Sequence, residues 1–490
     1  MLFKALSSLV VCATCVLALP AVEPTGSKGL VESNKLRRLM LRSELLAKAK
    51  KLEGFAYATT ERNRLIGTPG HNATITWIHD TIAAFPDYYT VSLQPFDLAL
   101  GISANLTVNA APLEVFAVGL SPGGSVGGSL VHIPNLGCEK SDFPADLKGK
   151  VVLVFRGTCQ SGVKVAYAGA AGAAGAIVYN NVEGNLDGYS LQRLSTPEGP
   201  YVPTGGISQA DGLALIARLD AGETIDVKLS TVMDVKTTYN VIAETIAGDH
   251  DNVIHISGHS DSVAAGPGIN DNGSGTISIL ETAIQLTKFT VNNAVRFSWW
   301  SAEEEGLLGA TYYVSVQPQS ELDKIRLMLD FDMMASPNYA FQIYDGDGSA
   351  YGESGPPGSG EAELEFQRFF TQELKQNFTQ IEFDGRSDYG PFLAAGVATG
   401  GIACGAEGIK TVEEAAMFGG VAGVAYDVNY HAVGDNVKNL NTDAWIQMTK
   451  AIAHMTATFA RSFELLPPKK STLTRRAAMS EKATGKTWGV

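Results

Sequence analysis

The sequence predicts an α/β fold with a mainly parallel, mixed central sheet that is flanked by helices. From about residue 237 onward, apolar runs of strand length alternate with helical patterns, which is typical of βα units. The chain of 490 residues is long enough for two or three domains, and its 45% hydrophobic content indicates a large core. A stretch rich in Gly, Ala and Val, between about 108 and 232, interrupts the pattern and predicts an inserted smaller, β-rich α/β domain.

The first residues have the pattern of a secretory signal. Lys4 is followed by an apolar run from Leu9 to Leu17, which is too short to span a bilayer comfortably. We therefore interpret residues 1–18 as a signal peptide. Residues 19–38 are polar and basic, contain the pair Arg37-Arg38, and are interpreted as a removable pro-segment rather than part of the fold. The mature protein is expected to be soluble, without a membrane span, and secreted, with the vacuolar lumen as the second choice.

The main domain is expected to consist of residues 39–107 and 233–465. Its first part predicts helices at 39–56 and 74–85 and a strand at 90–93. Within the inserted domain, residues 108–232, strands are predicted at 151–155 and 176–179, with an Ala-rich helix at 161–174 between them. His132 stands alone in that domain, and a lone histidine on a strand is typical of a packing or edge residue.

Cysteine usage agrees with an exported protein. Cys12 and Cys15 fall within the signal peptide. Cys138 and Cys159 enclose a loop of roughly 20 residues, for which a disulfide would contribute about 3 kcal/mol. Cys404 is left over and is expected to be a buried free thiol.

Asparagine patterns point to the same compartment. Glycan acceptor patterns occur at Asn72, Asn105 and Asn377, which suits an exported surface. The pattern at Asn272 is discounted, because a glycan there would block the polar, glycine-rich loop of residues 259–275.

The charge distribution argues against nucleic-acid partners. The formal net charge is −14, and no basic stripe with interleaved aromatic residues is present in the sequence. Residues 466–490 carry six basic residues and one acid, a local charge of +5. We interpret this segment as a disordered basic tail.

The strand-like runs of the main domain end in polar residues. Strands are predicted at 253–257, 294–300 and 326–332, with helices at 276–288 and 305–314 between them. In parallel sheets of this kind ligands bind beyond the carboxyl ends of the strands. The candidate residues therefore have to be sought at these three strand ends.

The loop after the first of these strands contains His259, Asp261 and Asp271 among glycines. His259 with Asp261 suits a metal-bound imidazole whose other ring nitrogen is held by a carboxylate. Asp271 is a second candidate ligand. A polar surface loop is the alternative reading of this stretch alone.

The other strand ends add three further acids. Glu303, Glu304 and Glu305 follow the second strand, and two neighbouring glutamates suggest one metal ligand and one proton shuttle. Spacing alone leaves open whether the pair is Glu303 and Glu304 or Glu304 and Glu305. Asp332 lies at the end of the third strand and is the better candidate ligand. Asp330 is expected to have a structural role in which its carboxylate is hydrogen-bonded.

A second imidazole comes from His431, in a loop before the closing helix 444–462. Two histidines, two aspartates and one glutamate can form two zinc sites if one carboxylate bridges. Glu303 could then accept a proton from a shared water. The remaining histidines lack a comparable set of acids and are assigned to surface or packing roles; they are His71, His79, His250, His255 and His454.

Six segments of the sequence form a recognisable set. They are Gly258-His259-Ser260-Asp261, Gly268-Ile269-Asn270-Asp271-Asn272-Gly273-Ser274-Gly275, Trp299-Trp300-Ser301-Ala302-Glu303-Glu304, Phe331-Asp332-Met333, Gly385-Arg386-Ser387-Asp388 and Tyr430-His431. Together they resemble the co-catalytic di-zinc aminopeptidases, such as exported fungal leucine aminopeptidases and vacuolar aminopeptidase Y. The resemblance covers about residues 50–462 and implies a zinc-peptidase fold, with the inserted stretch similar to a protease-associated domain.

The resemblance implies two zinc ions per chain and a ligand for each position. His259 and Asp332 would hold one ion, and Glu304 and His431 the other, with Asp271 bridging the two. The Asp271–Asn272 peptide bond would be cis.

The resemblance also implies catalytic roles. Glu303 would be the general base, Asp261 would orient His259, and Tyr430 would stabilise the tetrahedral oxyanion. Arg386 would help to hold the end of the substrate. The partners implied are peptides with a free N-terminus, acted on by a monomeric enzyme.

One part of the pocket departs from the family pattern. Where relatives often have an aromatic residue, this chain has Ala403, so more room is expected for the substrate's first side chain unless Met333 or Cys404 fills it. Two other functions stay open. One is a carboxypeptidase on the same scaffold, with Arg386 binding a substrate carboxylate, and the other is a non-catalytic, receptor-like binding protein.

Overall fold

The computed structural model describes residues 28–186, 189–191 and 196–469. The predicted signal peptide and residues 470–490 of the predicted tail lie outside the described residues. The strands within the described ranges are β1 Tyr89–Val108, β2 Ala111–Leu113, β3 Phe116–Ala117, β4 Gly124–His132, β5 Val151–Phe155, β6 Gly175–Tyr179, β7 Thr204–Ile207, β8 Asp226–Thr245, β9 Asp249–His259, β10 Asn293–Trp300, β11 Ile325–Phe331, β12 Gln342–Tyr344, β13 Thr379–Ile381 and β14 Thr399–Ala403.

Helices alternate with these strands. They are α1 Ser33–Arg37, α2 Arg42–Ala56, α3 Pro69–Ala83, α4 Ser161–Ala170, α5 Gln209–Asp220, α6 Gly273–Leu286, α7 Leu308–Val316, α8 Gln319–Leu322, α9 Ser359–Arg368, α10 Tyr389–Ala394, α11 Val412–Phe418 and α12 Thr442–Arg461. Short 3-10 turns lie at Lys140–Asp142 and Val437–Asn439, and a π-helical turn at Phe369–Leu374. In the part of the chain that the structure describes, we find no helix with the length and apolar character needed to cross a bilayer.

The main domain is built on a mixed sheet with the strand order β13-β12-β14-β11-β9-β10-β8. The central pairs β14 with β11, β11 with β9 and β9 with β10 are parallel, whereas β8 and β12 pair antiparallel with their neighbours β10 and β14. The predicted α/β class with a mainly parallel, mixed sheet is therefore confirmed. The parallel arrangement directs the ends of β9, β10 and β11 to one edge of the sheet.

Apolar side chains cover both faces of the sheet. Trp299 and Trp300 are adjacent on β10, so their side chains point to opposite faces. Trp299 packs in the cluster that includes Trp445 of α12, and Trp300 packs with Tyr313 and Phe392 on the other face. All of these side chains are buried, so both faces of the sheet are covered by packed side chains.

Two long strands join the main domain to the inserted one. β1 runs antiparallel to β8 from the Tyr89–Thr245 pair to the Val108–Val227 pair. The predicted strand at 90–93 is only the beginning of β1, since Pro95 and Gly101 made the pattern look shorter. The inserted domain contains the parallel strands β4, β5, β6 and β7. Helix α4 lies between β5 and β6 in the chain, and α5 lies between β7 and β8.

The second helix of the main domain begins earlier than the sequence pattern suggests. Residues 68–70 look like a break, but Thr68 accepts a hydrogen bond from the backbone of His71 and caps α3, with Pro69 at its first position. Proline is tolerated there because the first backbone N–H groups of a helix have no partner within it. The helix therefore starts at Pro69 instead of Thr74.

Residues 28–38 of the predicted pro-segment pack against the main domain. Val31 and Leu36 are fully buried in the core of the main domain. The backbone oxygen of Val31 accepts a hydrogen bond from Arg461 at 2.8 Å, and Ser33 is hydrogen-bonded to His454 at 2.7 Å. These residues belong to the fold because their few apolar side chains fill space between α6 and α12.

The first residues of the predicted tail also pack on the fold. Leu466 is buried, and the backbone oxygen of Pro467 accepts a hydrogen bond from Arg326 at 2.9 Å. The prediction that the tail is disordered from residue 466 onward is therefore wrong for residues 466–469.

The sequence-based expectations about cysteine are confirmed in the described residues. Cys138 and Cys159 form a disulfide in the inserted domain, and Cys404 is a buried free thiol. The side chains of Asn72, Asn105 and Asn377 are exposed, whereas Asn272 is fully buried.

Candidate metal centre

The candidate ligands converge at one edge of the main sheet. His259 is the last residue of β9, Glu304 lies in the turn after β10, and Asp332 directly follows β11. Asp271 precedes α6, and its peptide bond to Asn272 is cis, as expected. His431 reaches the same place from the loop before α12. Residues far apart in sequence meet here because the parallel strands end side by side.

Three carboxylates surround His259 and form a first cluster with it. Its Nε2 atom is 3.3 Å from Asp271 Oδ1, 3.5 Å from Asp332 Oδ2 and 3.7 Å from Glu303 Oε2. Burial alone would lower the pKa of His259, but Asp332 and Glu303 above all raise it well above its ordinary value. The site therefore favours a positive charge at this position.

His431 defines a second, adjacent cluster. Its Nε2 atom lies 3.0 Å from Glu304 Oε2 and 3.2 Å from Asp271 Oδ2. Burial opposes protonation of His431, but hydrogen bonds to Asp271 and Glu304 raise its pKa to about 10. Since the two oxygens of Asp271 face different imidazoles, one carboxylate belongs to both clusters.

The residues present fit bound cations. Within the described residues, His259 Nε2, Glu304 Oε1 and Asp332 Oδ1 are buried and have no hydrogen-bond partner. Unpartnered buried polar atoms are costly, and they are explained if they face an ion. Imidazole nitrogen and carboxylate oxygen are ligands that zinc accepts. The donor groups of His259, Asp271 and Glu304, and of His259, Glu303 and Asp332, lie close enough together to hold a metal ion.

The structure distinguishes the three consecutive glutamates. Glu304 lies beside His431, and Glu303 beside His259. The backbone oxygen of Glu305 accepts a hydrogen bond from Ser190 of the inserted domain at 3.0 Å, and its carboxylate belongs to neither cluster. Burial, with repulsion from Glu304, Asp388 and Asp332, outweighs the attraction of His259 and raises the pKa of Glu303 well above its ordinary value.

Asp261 supports the site in two ways. Its Oδ1 atom is 3.5 Å from His259 Nδ1, on the side of the ring away from the other carboxylates. Its two oxygens also accept hydrogen bonds from the backbone N–H groups of Glu303 and Glu304, each at 3.3 Å. Asp261 therefore links His259, at the end of β9, to the turn after β10 that contains Glu303 and Glu304. Sequence spacing does not reveal this link.

Two buried residues near the site carry no recognised sequence signal. Asp435 accepts hydrogen bonds from the backbone N–H groups of Asn270 at 2.7 Å and Asp271 at 2.9 Å. Burial raises the pKa of Asp435 to about 8, although these hydrogen bonds oppose the shift. The guanidinium of Arg64 is fully buried and donates to the backbone oxygens of Ser260, Pro267 and Gly268. Both residues hold the ligand-bearing loop through its backbone.

Asp332 is held from the adjacent loop. The hydroxyl of Ser387 donates to Asp332 Oδ2 at 2.9 Å. Asp330 accepts hydrogen bonds from Ser257 at 3.1 Å and from the backbone of Tyr389 at 3.2 Å, which agrees with the structural role expected for it.

A cavity of about 370 Å³ opens in front of the two clusters. Its lining includes Met333, Ala403, Tyr430 and Arg386, all of which the sequence assigned to substrate contact or catalysis. The ring of Tyr430 stacks on His431 with centroids 3.8 Å apart. Arg386 is exposed, and its Nη2 atom lies 2.9 Å from Glu407 Oε1.

The other histidines stay outside the clusters. His71 and His255 are fully buried and hydrogen-bonded to serine hydroxyls. His250 contacts Glu244, and His454 contacts Glu365 while stacking on Phe369. His79 is partly exposed beside Asp80. Their packing and surface roles are as expected from the sequence.

Comparisons with known proteins agree with this geometry. The sequence model of peptidase family M28 matches residues 240–456, and that of the PA domain matches residues 126–215. The chain is 48% identical over 449 residues to leucine aminopeptidase 2 of Arthroderma otae, covering 91% of this chain and 89% of that protein. It is 46% identical over 446 residues to the probable leucine aminopeptidase 2 of Aspergillus fumigatus, covering 91% and 88%.

Solved structures share the fold. An aminopeptidase from Aneurinibacillus sp. strain AM-1 matches with a TM-score of 0.67 and 24% identity, over 90% of this chain and 99% of that chain. A zinc aminopeptidase from Bacillus subtilis matches with a TM-score of 0.60 and 23% identity, over 88% and 97%. At this level of identity the likeness concerns the fold alone.

Proposed function

The chain belongs to peptidase family M28 and is a metallo-aminopeptidase, and from that premise we propose an exported zinc enzyme that uses two ions. It would remove one residue, preferably apolar, from the free N-terminus of peptides. The observation that carries this proposal is the position of Asp271, whose Oδ1 lies 3.3 Å from His259 and whose Oδ2 lies 3.2 Å from His431. A carboxylate with one oxygen toward each imidazole is suited to bridging two ions.

We assign five residues to the ions. His259 and Asp332 would hold one zinc, Glu304 and His431 the other, and Asp271 would be shared. When bound, the ions would supply an acidified water as the nucleophile and polarise the carbonyl of the scissile peptide bond.

Glu303 has the position and the surroundings of a general base. Its carboxylate lies beside His259 and lines the cavity. Burial and neighbouring acids raise its pKa, so its carboxylate is a stronger base that can take a proton from the attacking water and deliver it to the departing amine. Asp261 would keep His259 oriented and the backbone of Glu303 in place.

Tyr430 is suited to stabilising the oxyanion. It lines the cavity next to His431. Burial, followed by the nearby carboxylates of Asp271 and Glu304, raises its pKa, so that the hydroxyl stays a hydrogen-bond donor at neutral pH.

The rest of the cavity provides for substrate selection. Met333 and Ala403 are apolar and would contact the substrate's first side chain, which supports a preference for apolar residues. Arg386, on the outer wall, would contact the substrate beyond the scissile bond.

Location and assembly belong to the same proposal. The predicted signal at residues 1–18 and the exposed acceptor sites Asn72, Asn105 and Asn377 support secretion, with the vacuolar lumen as the alternative. We propose that the chain acts as a monomer composed of the main domain and the inserted domain at residues 108–232.

Metal content and N-terminal dependence test the function together. We expect about two zinc ions per purified chain, loss of activity with a chelator, and recovery with added zinc. Asp271→Ala should disturb both ions. A peptide with a free N-terminus should be cleaved, whereas its N-acetylated form should not.

Different outcomes would support other functions. Full activity in a metal-free preparation would contradict the zinc mechanism. Cleavage of the acetylated peptide at its free C-terminus would favour a carboxypeptidase. Peptide binding without turnover in the zinc-loaded protein would favour a receptor-like binding protein.

A further inference from the structure

The outer part of the cavity carries an excess of negative charge. Among the residues that the structure describes, the charged side chains that line it, besides the candidate ligands and Glu303, are Glu382, Asp384, Glu407 and Arg386. Three carboxylates therefore face one guanidinium. This imbalance does not depend on the ions, because none of the four residues is a candidate ligand.

The single guanidinium is already engaged. Arg386 Nη2 lies 2.9 Å from Glu407 Oε1, and Glu407, followed by Tyr430, raises the pKa of Arg386 against the effect of burial. Asp384 has its own partners, since it accepts hydrogen bonds from the hydroxyl of Tyr389 at 3.0 Å and from the backbone of Arg386 at 3.1 Å. Glu382 is exposed and lines the same cavity.

We propose that Glu407 is a specificity-determining residue that disfavours substrates with a free carboxylate next to the scissile bond. Dipeptides would therefore be poorer substrates than longer peptides or dipeptide amides. This inference rests on the proposed function, in which Arg386 contacts the substrate beyond the scissile bond.

The physical reason is competition for Arg386. In a dipeptide the second residue ends in a carboxylate, which would have to displace Glu407 from Arg386 and leave Glu407 unpaired in a cavity that Glu382 and Asp384 also line. In a longer peptide the same position holds a neutral peptide group, which leaves the ion pair intact. Arg386 and Glu407 have 61% and 53% of their side chains exposed, so the competition is moderate and screened by salt.

A matched pair of substrates isolates this effect. Leu-Gly and Leu-Gly-amide have the same length and shape and differ only in the terminal charge. For the zinc-loaded enzyme we expect a higher kcat/KM for the amide. In Glu407→Gln the ratio of Leu-Gly to Leu-Gly-amide should rise about fivefold, the size expected for one exposed ion pair.

Two further variants complete the experiment. Glu413→Gln removes an exposed acid of α11 outside the cavity lining and should leave the ratio unchanged. The double variant Arg386→Gln with Glu407→Gln should lose the gain, because the freed guanidinium is what attracts the carboxylate. High salt should reduce the difference between the wild-type protein and Glu407→Gln.

The outcomes separate this proposal from the proposed function. An unchanged ratio in Glu407→Gln, with the amide hydrolysed normally, would overturn the selectivity proposal and leave the aminopeptidase intact. An equal gain in the double variant would also overturn it. If the wild-type protein hydrolysed neither substrate in the presence of zinc, the proposed function itself would fail, and the selectivity proposal with it.

Discussion

Asp435 Oδ2 lies 2.9 Å from the backbone nitrogen of Asp271, so a carboxylate far along the chain positions the residue shared by the two clusters. Its other oxygen accepts from the backbone of Asn270. In Asp435→Asn one acceptor becomes a donor that faces an N–H group. We expect zinc affinity to fall about 10- to 100-fold, as for other residues that support metal ligands. Competition with a chromophoric chelator would measure it.

A surface carboxylate provides the control for this change. Asp443, at the start of α12, pairs with Arg42 in exposed positions. Asp443→Asn should keep wild-type zinc affinity. Wild-type affinity in Asp435→Asn would contradict the positioning role.

The three consecutive glutamates should give three phenotypes. Glu303→Gln should keep its zinc but lose at least about 100-fold in kcat, because an amide cannot accept the proton of water. Glu304→Gln should instead lower the zinc content, and Glu305→Gln should retain zinc and most of its activity. Zinc analysis and steady-state kinetics on the same preparations would measure both. If the first two phenotypes were exchanged, Glu304 would be the base.

Ala403 should influence which N-terminal residue is preferred. It is buried and lines the cavity beside Met333. Filling apolar space contributes on the order of 1 kcal/mol per methylene, so we expect the wild-type enzyme to accept Phe and Met well relative to Leu. Ala403→Phe should lower the Phe-to-Leu ratio of kcat/KM. An unchanged ratio would mean that residue 403 does not shape the pocket.

Stability should depend on pH through His250. Its ring donates to Glu244 Oε1 at 2.5 Å and to the backbone oxygen of Ile246 at 3.1 Å, and these hydrogen bonds raise the pKa of His250. A raised folded-state pKa stabilises the fold below the unfolded-state pKa, and this stabilisation is lost as the pH rises through the folded-state pKa.

Replacing His250 isolates this contribution. The free energy of unfolding of the wild-type protein should exceed that of His250→Gln by more at about pH 6 than at about pH 8. The change should stay below about 1 kcal/mol, because the side chain of His250 is half-exposed. Denaturant unfolding at several pH values would measure it. A difference that stays constant with pH would contradict the argument.

Three of the five proposed ligands could be predicted from sequence because they lie at the ends of strands. His259 and Asp332 follow apolar runs, and polar residues at such ends meet when the strands are parallel. The choice between Glu304 and Glu305 could not be made from spacing, since it depends on which carboxylate faces His431. That relation joins residues more than 100 positions apart.

Other features were hidden for related reasons. Asp435 and Arg64 act on backbone groups of a distant loop, so their own sequence surroundings carry no sign of the role. Val31 and Leu36 lie in a polar, basic stretch, and only the three-dimensional packing reveals that they fill part of the core. The full length of β1 was not predicted because Pro95 and Gly101 interrupt the strand-like pattern. Both residues nevertheless lie in β1 and pair with β8.

The pairing of β1 with β8 also determines how the two domains can move. Flexible linkers allow reorientation through a few backbone dihedrals, whereas bending two paired strands of 20 residues each breaks backbone hydrogen bonds. The register of the pair shifts between Gly101 and Ser103, so any bending should concentrate there. The inserted domain is thus expected to keep a nearly constant position relative to the main domain during turnover.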